Sequence, residues 1–374
     1  MKKITILAVL LLSVSIMASA QKKARQNASN YLRKGNLEQA KINIDKASIH
    51  EQTMNDAKTW FYYGNTYIRI ATDTASMHLD ADALDKAYKG YMKCRELDTK
   101  NRHKVLTLQD LVVISNNYYT RGAKLYEARD FAGAYPQFLK ASEVNESIDI
   151  VDTLFIYAAA MSAQEAKMYE EAVVSYEKLI AMDYNKPVIY SDLFHVNNAK
   201  GDTVAAKDVV ERGLIKYPTN PTLLINKINI LLGEQNFEEV IIFLDEGIKI
   251  DPENASLYHA QGQSFEKMNK MEKATAAYKK AIEKNPNHTD ALFNLGAISY
   301  NKAVAIYEKA NELPIDGPQA DYDEMVAGAN IFFLEAQPYF EKAFELLPGD
   351  RNLINSLNQI YTKTNQEDKI PNLK

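Results

Sequence analysis

From Lys186 to Asn287, apolar and small residues fall at helical spacing in short blocks, and the blocks recur at a fixed interval. Pro218, Pro252 and Pro286, in KYPTNP, KIDPEN and EKNPNH, close three successive intervals and stand 34 positions apart. Within one interval, ASLYHAQGQSFEKM sets Tyr258, Gly262 and Phe265 at helical spacing, and KATAAYKKAIEKN does the same with Ala274, Tyr278 and Ala281. Each interval therefore predicts two helices joined by a tight turn, and a constant period of this length predicts a solenoid. Small residues belong where two helix axes approach closely, and a large residue fills the hole beside them. Proline stops the second helix because it has no N–H to continue the ladder. Enlarging one of these alanines should cost about 1–3 kcal/mol through overpacking.

The same register extends in both directions. Ala28, Gly35, Ala40 and Ala47 mark a first repeat; Gly64, Ala87, Tyr91 and Cys94 a second, with TDTASMHLDAD inserted between its helices; Gly122, Ala134 and Phe138 a third; Ala160, Ala172 and Tyr176 a fourth. Phe194 in the fifth repeat, and Ile228 and Val240 in the sixth, stand where small residues are expected. In the eighth, Leu295 and Gly296 are recognisable, but Ala336, Phe340, Ala343 and Pro348 arrive 28 positions late. The intervening NKAVAIYEKANEL and DYDEMVAGANIFFLEA are helical in period on either side of PIDGP. They predict a projecting hairpin over about 303–335 with Pro314 and Pro318 at its tip and Pro338 kinking its second helix. NLINSLNQIYTKTNQ, over about 351–366, would cap the last apolar face.

These repeats resemble tetratricopeptide repeats. The resemblance covers nearly the whole chain beyond residue 20 and is specific in aggregate rather than in any one repeat. It implies an all-α, right-handed superhelical solenoid of about eight helix-turn-helix repeats over 21–374, with an insertion near 76–86. Relatives of this kind that bind peptides clamp a terminal carboxylate with Lys, Arg and Asn. Here only fragments of that pattern occur, at Arg25, Ser29, Asn65, Asn116 and Thr120.

The first residues, MKKITILAVLLLSVSIMASAQ, carry Lys2 and Lys3, an apolar run to Met17 and small residues at Ala18-Ser19-Ala20. They predict a secretory signal over 1–20 and an exported, periplasmic protein beginning at Gln21. The apolar run is short of the ~20 residues of a membrane span, and no later segment is apolar for long enough. Gln21 leaves no cysteine for lipid attachment at that terminus, so any association with the outer membrane would go through a partner. Cys94 is the single cysteine, which excludes an internal disulfide. The balance of 44 basic and 49 acidic residues, without a basic cluster, argues against nucleic acid. The six histidines have no partner at i+3 or i+4, and no serine elbow, phosphate loop or dinucleotide fingerprint occurs. No enzyme, metal or cofactor is expected.

A stacked array of hairpins offers instead a concave surface lined by the first helix of each repeat. The positions read as lining it are Tyr62 and Asn65, Tyr119 and Tyr126, Tyr157 and Met161, His195 and Asn198, Asn226 and Asn229, His259 and Gln263, and Phe293, Asn294 and Tyr300. Aromatics supply contact area and side-chain amides bond an extended backbone without reading its sequence. The expected function is a non-enzymatic interaction scaffold of the bacterial cell envelope that holds a protein or peptide partner. The alternative is a glycan or nutrient binder using the same surface.

Overall fold

The computed structural model describes residues 23–314 and 317–373, and every regular element among them is helical. The leader read at 1–20 and two residues of the PIDGP turn lie outside the described residues. The helices follow one another in pairs: α1 (23–33) and α2 (Leu37–Ser48), α3 (Ala57–Thr72) and α4 (Ala83–Leu97), α5 (Lys104–Glu127) and α6 (Phe131–Glu146), α7 (Thr153–Glu165) and α8 (Tyr169–Ala181), α9 (Val188–Lys200) and α10 (Thr203–Lys216), α11 (Pro221–Gly233) and α12 (Phe237–Ile250), α13 (Ala255–Lys267) and α14 (Met271–Lys284), and α15 (Thr289–Asn311) and α16 (Gln319–Leu346). Helix α17 (Arg351–Lys363) follows the last pair. The odd-numbered helix is the first of each repeat. Two compact units result: one runs to Ile189 and takes in His195–Asp202, the other comprises Tyr190–Phe194 and Thr203–Lys374.

The same joint holds repeats together in both units. In the first, a Cβ added to Gly64 would lie 2.5 Å from the ring of Tyr91, and one on Gly122 would lie 2.9 Å from Phe138. In the second, Gly262 faces Tyr278 at 2.5 Å and Gly296 faces Phe340 at 2.8 Å. A ring on the second helix thus lies across a glycine of the first at these four joints, and in the fourth repeat Ala160 stands at the same offset from Tyr176 as Gly122 from Phe138. Where the ring is a tyrosine, its hydroxyl passes over the first helix and donates to a polar side chain there. Tyr91 reaches Asn65 Oδ1, Tyr176 reaches Gln164 Oε1 and Tyr278 reaches Glu266 Oε2, each at 2.8 Å. The expected misfits become intelligible on this register. Ile228 stands in the glycine position and packs in one buried cluster with Leu244, which stands where the ring would be. Phe194 and Val210 occupy the corresponding places in the fifth repeat and are both buried. Bulk has moved from the second helix to the first.

In the six repeats without an insertion the turn is built from one left-handed residue followed by the first residue of a helix cap. Lys167, Gly201, Gln235 and Asn269 recur 34 positions apart with φ of 59°, 86°, 58° and 58°. Gly35 and Arg129 hold the same place earlier, at 75° and 62°. The following residue caps the second helix with its side chain in at least three of them: Asn36 accepts from Gln39 N at 3.1 Å, Asp130 from Gly133 N at 2.9 Å and Asn236 from Glu239 N at 3.4 Å, whereas Met168 and Lys270 make no such bond. Only two of these six left-handed residues are glycines, so the others carry steric strain.

The insertion between α3 and α4 contains a 3-10 turn, Met77–Leu79, and is shorter than 76–86, since Ala83–Lys86 is already the first turn of α4. Asp80 ties it down through Lys86 at 2.6 Å and Lys41 at 3.5 Å. Helices α15 and α16 run for 23 and 28 residues. Tyr300 and Tyr307 pack on Phe333 at 5.4 and 5.8 Å, and Tyr307 donates to Asn330 Oδ1 at 3.1 Å. Helix α16 continues through Pro338 as one helix, with that proline on an exposed side.

Gln235→Gly should relieve the left-handed strain and raise stability by about 0.5–1 kcal/mol, whereas Gly201→Gln should lower it by about 1 kcal/mol. Denaturant unfolding of both variants checks the pair; equal effects of the same sign would contradict this reading of the turn.

Candidate functional site

The odd-numbered helices carry the sequence-derived candidates, and the structure divides those residues into packed and displayed groups. In the first unit, Tyr119 stacks on Phe155 at 4.8 Å and lies against Phe138 at 5.3 Å, so it fills the seam between helices instead of lining a surface. Tyr126 is half-buried, edge-on to Phe131 at 4.9 Å; burial and then the Glu165 carboxylate raise its pKa. Asn65 is half-buried and spends its carbonyl oxygen on Tyr91. Tyr62 lies under the Lys58 ammonium at 5.8 Å. Tyr157 and Met161 are half-buried on α7, the former 6.3 Å from the ring of Tyr176. His195 and Asn198 are exposed.

In the second unit, Asn226 is a correction. It is 4% exposed and donates to Ser191 Oγ at 3.2 Å, so it joins α9 to α11 and is unavailable to a ligand. Phe293 and Tyr300 are likewise packing residues, against Phe340 at 5.5 and 5.8 Å. Asn229 and Gln263 are exposed at equivalent places of successive repeats. Sequence reading missed their companions. Ile225 and Leu232, one turn before and after Asn229 on α11, are 49% and 37% exposed. Beside them a recess of 330 Å³ is lined by Leu232, Phe237, Gln263, Glu266, Lys267 and Asn294. The i, i+4, i+7 spacing of Ile225, Asn229 and Leu232 was the available signal. This surface joins three apolar side chains, Ile225, Leu232 and Phe237, to three amides, Asn229, Gln263 and Asn294, with Lys267 and Glu266 beside them.

Next to it, His259 and Asn294 form a polar network with Tyr278. Tyr278 gives its proton to Glu266, so at 3.4 Å it accepts from Asn294 Nδ2. That nitrogen also lies 3.0 Å from His259 Nε2, which must then be the unprotonated nitrogen. His288, whose ring is 4.9 Å from that of His259, caps α15 by accepting Ala291 N on Nδ1 at 3.2 Å. Burial first and His288 second hold the His259 pKa below the ordinary imidazole value, and Asp290 opposes them. Cys94 is fully buried, and burial pushes its thiol up to about 12, which leaves no thiolate at neutral pH. Among the described residues no group of three or more His, Cys, Asp or Glu side chains is placed to hold a metal ion. No described helix is long and apolar enough to cross a membrane.

Tetratricopeptide-repeat family models match residues 255–288 and 277–312. The chain thus carries tetratricopeptide repeats over 255–312, and repeats of this kind support a protein-interaction scaffold. Among solved structures it is similar to MamA from Desulfovibrio magneticus RS-1, 17% identical over 53% of this chain and 97% of that one with a TM-score of 0.39. It is also similar to YrrB, a TPR protein with an unusual peptide-binding site, 20% identical over 47% of this chain and 89% of that one with a TM-score of 0.38. A curated relative, human protein O-mannosyl-transferase TMTC1, is 28% identical over 158 residues, 40% of this chain; the chain spans only 18% of that relative's length.

Because folding favours the neutral form of His259, its contribution to stability is complete above the unfolded-state value of ~6.5 and declines as pH falls below it. The melting temperature should therefore drop between about pH 7 and pH 5, and His259→Gln should flatten that part of the profile. An identical pH dependence in the variant would remove His259 as the cause.

Proposed function

We propose that this protein is a non-catalytic scaffold of the bacterial cell envelope whose odd-helix surface in the second unit holds a polypeptide. The carrying observation is the exposed set Ile225, Asn229, Leu232 and Gln263 beside the 330 Å³ recess. An apolar partner side chain would enter between Leu232 and Phe237, while the amides of Asn229 and Gln263 bond its backbone, a combination that tolerates many sequences. A glycan would need an aromatic face open to solvent, and Phe293 and Tyr300 are stacked into the helix layers. Solenoid scaffolding without chemistry agrees with a single, buried cysteine. The MKKITILAVLLLSVSIMASAQ leader supports export.

A photo-crosslinking residue at Asn229 should trap a discrete polypeptide in living cells, and Ile225→Asp should abolish that adduct without lowering the melting temperature. Carbohydrate adducts, or none, would overturn the reading. Mass spectrometry of the chain from a periplasmic fraction should give Gln21 as its first residue; a cytoplasmic chain retaining Met1 would overturn the export assignment.

A further inference from the structure

Helix α16 buries Ala329, Phe333, Ala336 and Phe340 on the side that meets the body of its unit. Turned away from that side, at spacings of three and four, is a strip of Ala327, Gly328, Ile331 and Leu334. Ile331 is 59% exposed and Leu334 50%. A glycine inside a helix weakens it relative to alanine and calls for a reason in packing. In the other helices of this unit, Gly213, Gly247, Gly262 and Gly296 have such a reason, a neighbouring side chain within 3.4 Å of an added Cβ, and only Gly233, the last residue of α11, lacks one. A Cβ on Gly328 would meet nothing within 4 Å. The chain leaves a notch beside two exposed aliphatic side chains and puts nothing of its own into it.

Charge says what kind of partner suits the strip. Asp321, Asp323 and Glu324 are exposed at one end, and Glu335 and Glu345 farther along. Lys342 is the only basic residue of α16, and it is paired with Glu345 at 2.9 Å. None of Asp321, Asp323, Glu324 or Glu335 has an ion pair among the described residues. A second copy of this helix would bring carboxylates against carboxylates along most of its length. A helix with lysines or arginines beside an apolar stripe would meet opposite charge at both ends and set its stripe where the missing Cβ permits close approach.

We propose that this side of α16 docks one amphipathic helix of a partner polypeptide, with an apolar stripe over Gly328 and basic residues on its flanks. The surface is separate from the odd-numbered helices and stands whether or not they bind a peptide. Two synthetic probes test it by fluorescence anisotropy with the full chain: a helix of about 20 residues with an Ala/Leu stripe flanked by lysines, and its twin flanked by glutamates. The lysine probe should bind at least about tenfold more tightly than the twin and should weaken as salt rises from about 50 to about 500 mM. Gly328→Leu, which fills the notch, and Leu334→Asp should each reduce binding about tenfold or more, Gly328→Leu while raising the melting temperature and Leu334→Asp without lowering it appreciably. Ile242→Asp, at an exposed aliphatic residue of α12 in the same unit, should leave it intact. Equal binding of the two probes, indifference to Gly328→Leu, or equal loss with Ile242→Asp would overturn the proposal. So would sedimentation showing a dimer of this chain that Leu334→Asp dissolves.

Discussion

An aromatic ring laid across a helical glycine is the contact on which each closely fitting repeat depends. It fixes how near the two helices lie, and it sets the offset in sequence at which the partner must appear. Gly122 and Phe138 meet across 16 positions, as do Gly262 and Tyr278. Insertions respect the joint instead of altering it. Gly64 still meets Tyr91 across 27 positions and Gly296 still meets Phe340 across 44, because the extra residues enter between the two helices of the repeat. The excess forms a tethered turn in one case and a long helical pair in the other.

Energetically the joint combines apolar burial with satisfied polarity. Burying such a ring contributes on the order of 1.5–3 kcal/mol, and a hydroxyl left unpaired beneath the next helix would offset much of that. Tyr91, Tyr176 and Tyr278 avoid the penalty by ending on Asn65, Gln164 and Glu266. Surface ion pairs such as Lys200–Glu170 at 2.7 Å involve partly exposed side chains and add little by comparison. With stability supplied between helices, exposed residues such as Ile225, Asn229 and Gln263 are free to vary toward a ligand.

The architecture was legible because small residues and rings recur at helical spacing and Pro218, Pro252 and Pro286 stand 34 positions apart, even where Phe194 and Ile228 replace the small residue. The candidate surface was legible only in part. Asn226 and Asn294 share one repeat position, yet Asn226 is covered by Ser191 of the preceding repeat while Asn294 meets His259 and Tyr278. Burial between repeats depends on the neighbour's side chain, which a position within the period does not reveal. The same limit hid the exposure of Leu232. Phe194 and Ile228 read as defects singly; the exchange of bulk shows only when Ile228 is set beside Leu244.

The central claim is that ring and glycine form one volume-matched pair. It is tested most directly by transplanting the sixth repeat's solution into the seventh, comparing Gly262→Ile, Tyr278→Leu and the double variant by denaturant unfolding. Gly262→Ile should cost several times the loss seen with Tyr278→Leu, and the double variant should recover a substantial part of it. Losses that simply add would contradict the account.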